Sequence, residues 1–335
     1  MVAQPGDTVQ VAAGSYSSQT INAAPKPAGA APVVFEPGAG AVTISTLRVN
    51  QGGAIEFQDF TVTGDTYNGC NCAASGQAGS IVREVTYRRI KMQQFFVRGA
   101  DKISYIDGEV GPNDSDDGMN WITEPYQSSD PPTDILLDGM RIHDFTKHNA
   151  GAHVDCVGIG NADGVTIRNS RIWTCAHFSI IFGTDPSGQY TRNLTIENNF
   201  LDCCDPSGGG FYSIGLGDGA NVLIRFNSAT LGFGWLNPSG DGVTNDVIDS
   251  NVISNNSSQN CSKAVWRYNV VASGSACSNG IVAATSFFSS PLDLHLKAGA
   301  AAIGAGNPTA YPAADIDGDP RPAGGRADAG ADEAG

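Results

Sequence analysis

The chain has little charge. Only 16% of its 335 residues are Asp, Glu, Lys or Arg, against a usual share of about 25%. Basic residues are the scarcer kind: 19 Lys and Arg face 34 Asp and Glu, a formal charge of -15. A nucleic-acid binder needs a basic face, so nucleic acid is not expected as a partner. The same balance argues against attachment to anionic membranes. Long apolar runs are missing; none approaches the ~20 residues of a membrane-spanning helix. Histidine is rare, with five copies. No paired C-x-x-C spacing points to zinc. Glycine is plentiful instead: 42 residues, where average usage of about 7% gives roughly 23. Hydrophobic residues make up 41%, enough for a core and too many for global disorder. Low charge, abundant Gly and Asn, and short β-branched runs point to an all-β chain with many turns.

One eight-residue pattern recurs. It stands as ISYIDGEV at 103–110, ILLDGMRI at 135–142, VTIRNSRI at 165–172 and LTIENNFL at 194–201. It continues as VLIRFNSA at 222–229, DVIDSNVI at 246–253 and AVWRYNVV at 264–271. Each unit reads as two short strands around a polar bend. Its sixth position holds Ser170, Asn199, Asn227, Asn251 and Asn269. An Asn there is expected to adopt the left-handed conformation, to bond the bend, and to stack as an amide ladder. A second series, DCVGIGN at 155–161, FSIIFGT at 178–184 and YSIGLGD at 212–218, aligns without gaps. DGMNWIT at 117–123 is aligned as the coil before, which puts Asp117, Asp155, Phe178 and Tyr212 in one column. One short strand per repeat cannot bury its apolar face alone, whereas stacked coils share a core. The expected fold is a single-domain parallel β-helix, a solenoid with an Asn ladder and long inserted loops. It spans 1–335, with 290–335 as an irregular C-terminal capping segment.

On these residues the chain resembles the right-handed parallel β-helix, or pectin-lyase-like, superfamily. The likeness begins at Gly6-Asp7-Thr8-Val9 and Gly14-Ser15-Tyr16. It extends to the tail, DIDGDPRP at 315–322 and DAGADE at 328–333. The stretch 153–172, with CAHFSIIF at 175–182, is similar to secreted actinobacterial members. The resemblance implies carbohydrate chemistry by analogy of fold. Eight cysteines fit disulfides in an oxidising compartment, with Cys261 and Cys277 the first pair expected. Met1 directly precedes Val-Ala-Gln-Pro-Gly-Asp, which reads as a mature domain restarted with methionine. A secreted monomer is the expectation.

Four of the five histidines, His143, His148, His153 and His177, fall between 143 and 177. His153 and Asp155 are two apart on a strand and share a face. His177 begins the matching strand one coil later. Lys147 lies in the loop just before. Strand parity sends Asp155 inward, where it needs hydrogen bonds. His, Asp and Lys are expected to converge in a groove.

Hydrolysis of the polygalacturonase kind is not supported. Asp155 stands where the first Asp of that pattern would. The double-Asp position is His177-Phe178, and the Gly-His-Gly position is Gly209-Gly210-Phe211. The expected reaction is β-elimination on a uronic-acid-containing glycan. A hydrolase with paired Asp residues and a non-catalytic glycan-binding protein are the alternatives. In the lyase reading Lys147 or His153 is the base, with His177 and Asp155 beside them and Tyr212 as acid. Arg141 and Arg171 neutralise the substrate carboxylate. Trp121, Tyr126, Trp173, Phe178 and Tyr212 stack on sugars, and His143 also contacts substrate. Asp116 and Asp117, with Asn113 and Asp114, are candidate Ca2+ ligands. Asp315, Asp317 and Asp319 are expected to form a terminal turn. Regular Thr-x-Thr ladders, the mark of an ice-binding face, are missing.

Overall fold

The structure, a computed structural model, describes residues 3–24, 26–69, 82–116, 118–124, 130–149, 151–183, 191–204, 212–236, 245–255, 260–284, 287–290, 293–322 and 326–334. Among these there is no helix; the elements are short strands. Among the described residues, the coils up to Phe233–Trp235 contribute strands to three parallel sheets, and the later ones to two. In one coil these are Thr133–Asp138, Arg141–Phe145 and Val157–Ile159. In the next they are Asp163–Arg168, Arg171–Cys175 and Phe178–Phe182. We call them the first, second and third sheets. Strands pair in parallel from coil to coil, as a solenoid requires.

Like side chains stack within the core. One inward column of the first sheet runs Tyr105, Leu137, Ile167, Ile196, Ile224 and Ile248, each opposite the next and each at most 1% exposed. The ladder forms between the first and second sheets. Asn199 Nδ2 donates to Asn227 Oδ1, Asn227 Nδ2 to Asn251 Oδ1, and Asn251 Nδ2 to Asn269 Oδ1, all at 2.9 Å. The left-handed residue is not the ladder Asn but its predecessor. Asn169, Asn198, Phe226, Ser250 and Tyr268 have φ between 52° and 61°. A turn of the backbone at the fifth position aims the sixth side chain along the stack. The buried bonds it makes there hold even Phe226 in a conformation that L-residues avoid.

The register of 117–123 also differs by one residue from the alignment. Asn120 lies opposite Val157, Trp121 opposite Gly158 and Ile122 opposite Ile159. Ile122 takes the core position and Trp121 turns outward, since the β-branched side chain fits the column. Asp117 lies outside the described residues, as do Tyr126, Cys70, Cys72 and Phe211. Disulfides join Cys261 to Cys277, the pair expected first, Cys156 to Cys175, and Cys203 to Cys204.

The tail lies along the flank of the second sheet. An antiparallel pair, Phe288–Ser290 with Asp293–Leu296, opens it. Phe287, Leu294, Ala302 and Ala329 bury a small second core against Phe200, Val252 and Val270. Asp315 Oδ1 accepts from the amides of Asp317 and Asp319, which makes the acidic DIDGD segment a turn.

Candidate functional site

The site forms at the corner where the second sheet turns into the third. The loop from 146 to 156 is long because it leaves the second sheet at Phe145 and re-enters only at Val157. It is held by the coil before. Asp114 Oδ1 accepts from the Thr146 hydroxyl and meets His148 Nε2 at 2.6 Å. Asp116 Oδ1 accepts from the amides of His148 and Asn149 at 2.7 and 2.9 Å. Hydrogen bonds from the Thr146 hydroxyl and from those two amides hold the Asp114 and Asp116 carboxyls below the usual carboxylate range. Asp114 and Asp116, both offered for Ca2+, each spend an oxygen on this clamp.

The clamp delivers Lys147 to the next coil. Its Nζ lies 2.9 Å from His177 Nε2. The His177 ring accepts at Nδ1 from the Val154 amide at 3.1 Å. A backbone N–H only donates, so a neutral His177 keeps its proton on Nε2, facing Lys147. Lys147 can accept that hydrogen bond only as the free amine. Burial holds the His177 ring below the ordinary histidine value, and the positive charges that Lys147 and His153 can carry push the same way.

His153 stacks on His177, ring centroids 4.7 Å apart. Its Nδ1 is 3.0 Å from Asp155 Oδ2. Asp155 is fully buried, as strand parity demands, and its Oδ1 accepts from the Phe178 amide. Its Oδ2 has no well-aimed donor, since the His153 ring nitrogen meets it at poor direction. The contact with Asp155 nevertheless raises the His153 pKa, against burial and Lys147.

His153, Asp155 and His177 line an open groove of about 1140 Å³, and Lys147 stands behind His177 rather than in the lining. The groove's opposite wall is apolar: Met119, Trp121, Phe178, Ile181 and Leu236. Gly158 lets Met119 and Trp121 pack close, because a Cβ would lie 2.5 Å from Met119 Sδ and 3.2 Å from the Trp121 ring. The sequence reading missed this wall, apart from Trp121 and Phe178. Alternating apolar residues at 178–182 had signalled only core.

The remaining candidates stand elsewhere. Tyr212 stacks on Phe178 at 6.4 Å one coil on, its ring over Gly234, and is not among the residues lining the groove. Arg141, His143, Arg171 and Trp173 occupy the outer face of the second sheet, before the corner. His143 stacks on Trp173 at 4.4 Å and meets Asp144 at 2.8 Å. Arg171 binds Asp317 of the tail at 3.1 Å and lies over Phe200. Arg141 and Arg171 line a separate flank pocket with Trp173, Asp202 and Leu294. The expected single groove is therefore divided by the bend between two sheets.

His153, Asp155 and His177 offer ligand atoms within 4.8 Å of one another. A divalent ion does not fit them as they stand. Both His177 nitrogens are engaged, one of them with Lys147.

No protein-family model and no curated protein matches the chain. Among solved structures, pectate lyase Pel9A superposes with a TM-score of 0.58 at 14% identity, over 99% of this chain and 89% of that one. A PL6 family alginate lyase, AlyGC in a mutant form, covers 84% of this chain and 51% of that one at 13% identity. Its TM-score of 0.35 is too low to argue from. At such identity the first likeness speaks for the fold, and it agrees with the three stacked sheets and the amide ladder. In fold, the chain is a parallel β-helix, an architecture it shares with pectate lyase Pel9A.

Proposed function

We propose that the chain is a secreted polysaccharide lyase that cleaves a uronic-acid-containing glycan by β-elimination. The observation that carries this is the Lys147–His177 contact at the edge of an open groove that His177, His153 and Asp155 line. Lys147, as the free amine and with its one lone pair turned from His177 to the substrate, removes the proton next to the uronate carboxyl. The electron pair forms the new double bond, the glycosidic C–O bond breaks, and the leaving oxygen takes a proton from His153 Nε2. Asp155 holds the opposite nitrogen of that ring. Tyr212, the acid expected from the sequence, stands outside the groove, so this role passes to His153. The disulfides suit a protein exported to an oxidising compartment.

Hydrolysis is disfavoured by the same geometry. It needs two carboxyl groups facing each other across the sugar. Asp155 is fully buried and Asp116 is tied to the loop.

A panel of uronate polymers, assayed with Ca2+ and with chelator, tests the reading. Products absorbing in the ultraviolet as conjugated uronides are expected. Lys147→Ala should lower kcat by about 10²–10⁴-fold with the fold intact. New reducing ends without that absorbance would assign a hydrolase instead. Cleavage of no polymer would leave a glycan-binding protein.

A further inference from the structure

The outer face of the third sheet carries a pattern that catalysis does not absorb. Arg48, Tyr67, Phe96 and Trp121 form one outward column, each opposite the next in register. The column ends in the groove, because Trp121 lines it. Arg98 flanks it, two positions beyond Phe96 on the same strand. The Tyr67 and Phe96 rings are 5.5 Å apart. The Arg48 guanidinium lies 5.4 Å from the Tyr67 ring, and that of Arg98 lies 5.8 Å from Phe96.

Folding alone does not ask for this arrangement. The strand Asp65–Gly69 turns Thr66 and Asn68 into the core, both fully buried, and leaves Tyr67 half outside. The inward amide has to be satisfied there by the hydroxyls of Tyr87 and Tyr105. Polar-in and aromatic-out reverses the pattern that stabilises a half-buried strand, and such reversals mark functional surfaces. The charges point the same way. Neither Arg48 nor Arg98 forms an ion pair among the described residues, and Arg98 Nε is buried without a hydrogen-bond partner. Asp65 is a carboxyl near Arg48, and burial pushes its pKa up while Arg48 opposes the shift. Two unpaired guanidinium groups on a chain of net charge -15 make a local site for carboxylates.

We propose that this column is a binding track for an anionic polysaccharide, leading along the solenoid axis into the groove. Sugar faces pack on Tyr67, Phe96 and Trp121, and uronate carboxylates pair with Arg48 and Arg98. Coils repeat at about 4.8 Å, so Arg48 to Trp121 spans roughly 14 Å, the length of a few sugar rings. The proposal rests on the lyase reading only for what happens at the groove end; binding along the track does not require cleavage.

The test is therefore a binding measurement on a chain that cannot turn over, carrying Lys147→Ala. Calorimetry and Trp fluorescence would follow a uronate hexasaccharide, a uronate disaccharide and a neutral hexasaccharide. Adding Arg48→Gln and Arg98→Gln should weaken the uronate hexasaccharide roughly tenfold or more and leave the disaccharide unchanged. Arg98→Gln alone, checked by its melting curve, should give part of that loss. Equal affinity for the neutral hexasaccharide, or no loss in either variant, would overturn the track. If the uronate chain binds as expected but the unmutated protein cuts nothing, the lyase reading fails and the track stands.

Discussion

At the scale of single residues, the site pairs two histidines whose environments push them in opposite directions. His177 is held below the ordinary value of 6.5, chiefly by burial, and His153 is held above it by Asp155. The proposed chemistry needs His177 neutral, so that it can donate to Lys147, and His153 cationic, so that it can protonate the leaving oxygen. His177 loses its charge as pH rises through its depressed value; His153 loses its own only above 6.5. Of these two rings, His177 contributes a limb below 6.5 and His153 a limb above it. Asp155→Asn should pull the alkaline limb of the kcat/KM profile to lower pH, because the charge that holds the His153 proton is gone. An unmoved limb would remove His153 from the acid role. The sequence exposed His153, Asp155 and His177 as a cluster because charge is otherwise sparse. It could not expose the Val154 amide, which is backbone and sets the tautomer.

At the scale of elements, the ladder and the charged rows explain how strands mostly of two to six residues hold together. Asn227 and Asn251 are the busiest rungs, and Asn227 shows the pattern. It accepts from the amide of Asn199 and from its side chain, and donates to Ile196, Arg225 and Asn251. Asn227→Ala should cost about 3 kcal/mol in denaturant unfolding, since it leaves several buried groups unpaired at once. Asn269→Ala, at the end of the row, should cost less. Outside the first sheet, Asp138, Arg168, Glu197, Arg225, Asp249 and Arg267 alternate in sign, coil against coil. Cross-strand pairs of opposite charge stabilise a sheet modestly. The repeat made the rungs legible, because an Asn recurs at one place. The left-handed residue before it was not legible: its identity varies from Asn to Phe to Tyr, so only backbone geometry marks it.

At the scale of the whole molecule, the tail is fastened across the flank by a charged clasp. His295 sits between carboxylates, Nδ1 against Asp293 and Nε2 2.7 Å from Asp317 Oδ2, while Arg171 holds the other Asp317 oxygen. Burial works against its charge, yet the hydrogen bonds to Asp293 and Asp317 together raise the His295 pKa. A histidine raised on folding contributes stability fully below its unfolded value of 6.5 and loses it as pH rises through the folded value. Hydrogen exchange of the tail amides should therefore accelerate from mildly acid to alkaline pH beyond the intrinsic rate. His295→Gln should flatten that dependence. Identical protection of the tail in both proteins at every pH would show that the apolar contacts of Leu294 and Leu296 hold it alone.

The sequence by itself determined the coil, the inward columns and the amide ladder. These are local, repeating preferences that each turn of the solenoid reads in the same way. It placed Lys147, His153, Asp155 and His177 in one neighbourhood, because adjacent coils stack by register. Only the tertiary structure decided which neighbours meet. The corner after Phe145 swings Lys147 onto His177 and leaves Arg141, His143, Arg171 and Trp173 behind on another face. A one-residue offset at Trp121 exchanges a core position for a groove wall. The angle of a corner and the phase of a strand are set by packing between coils, and no single coil encodes them.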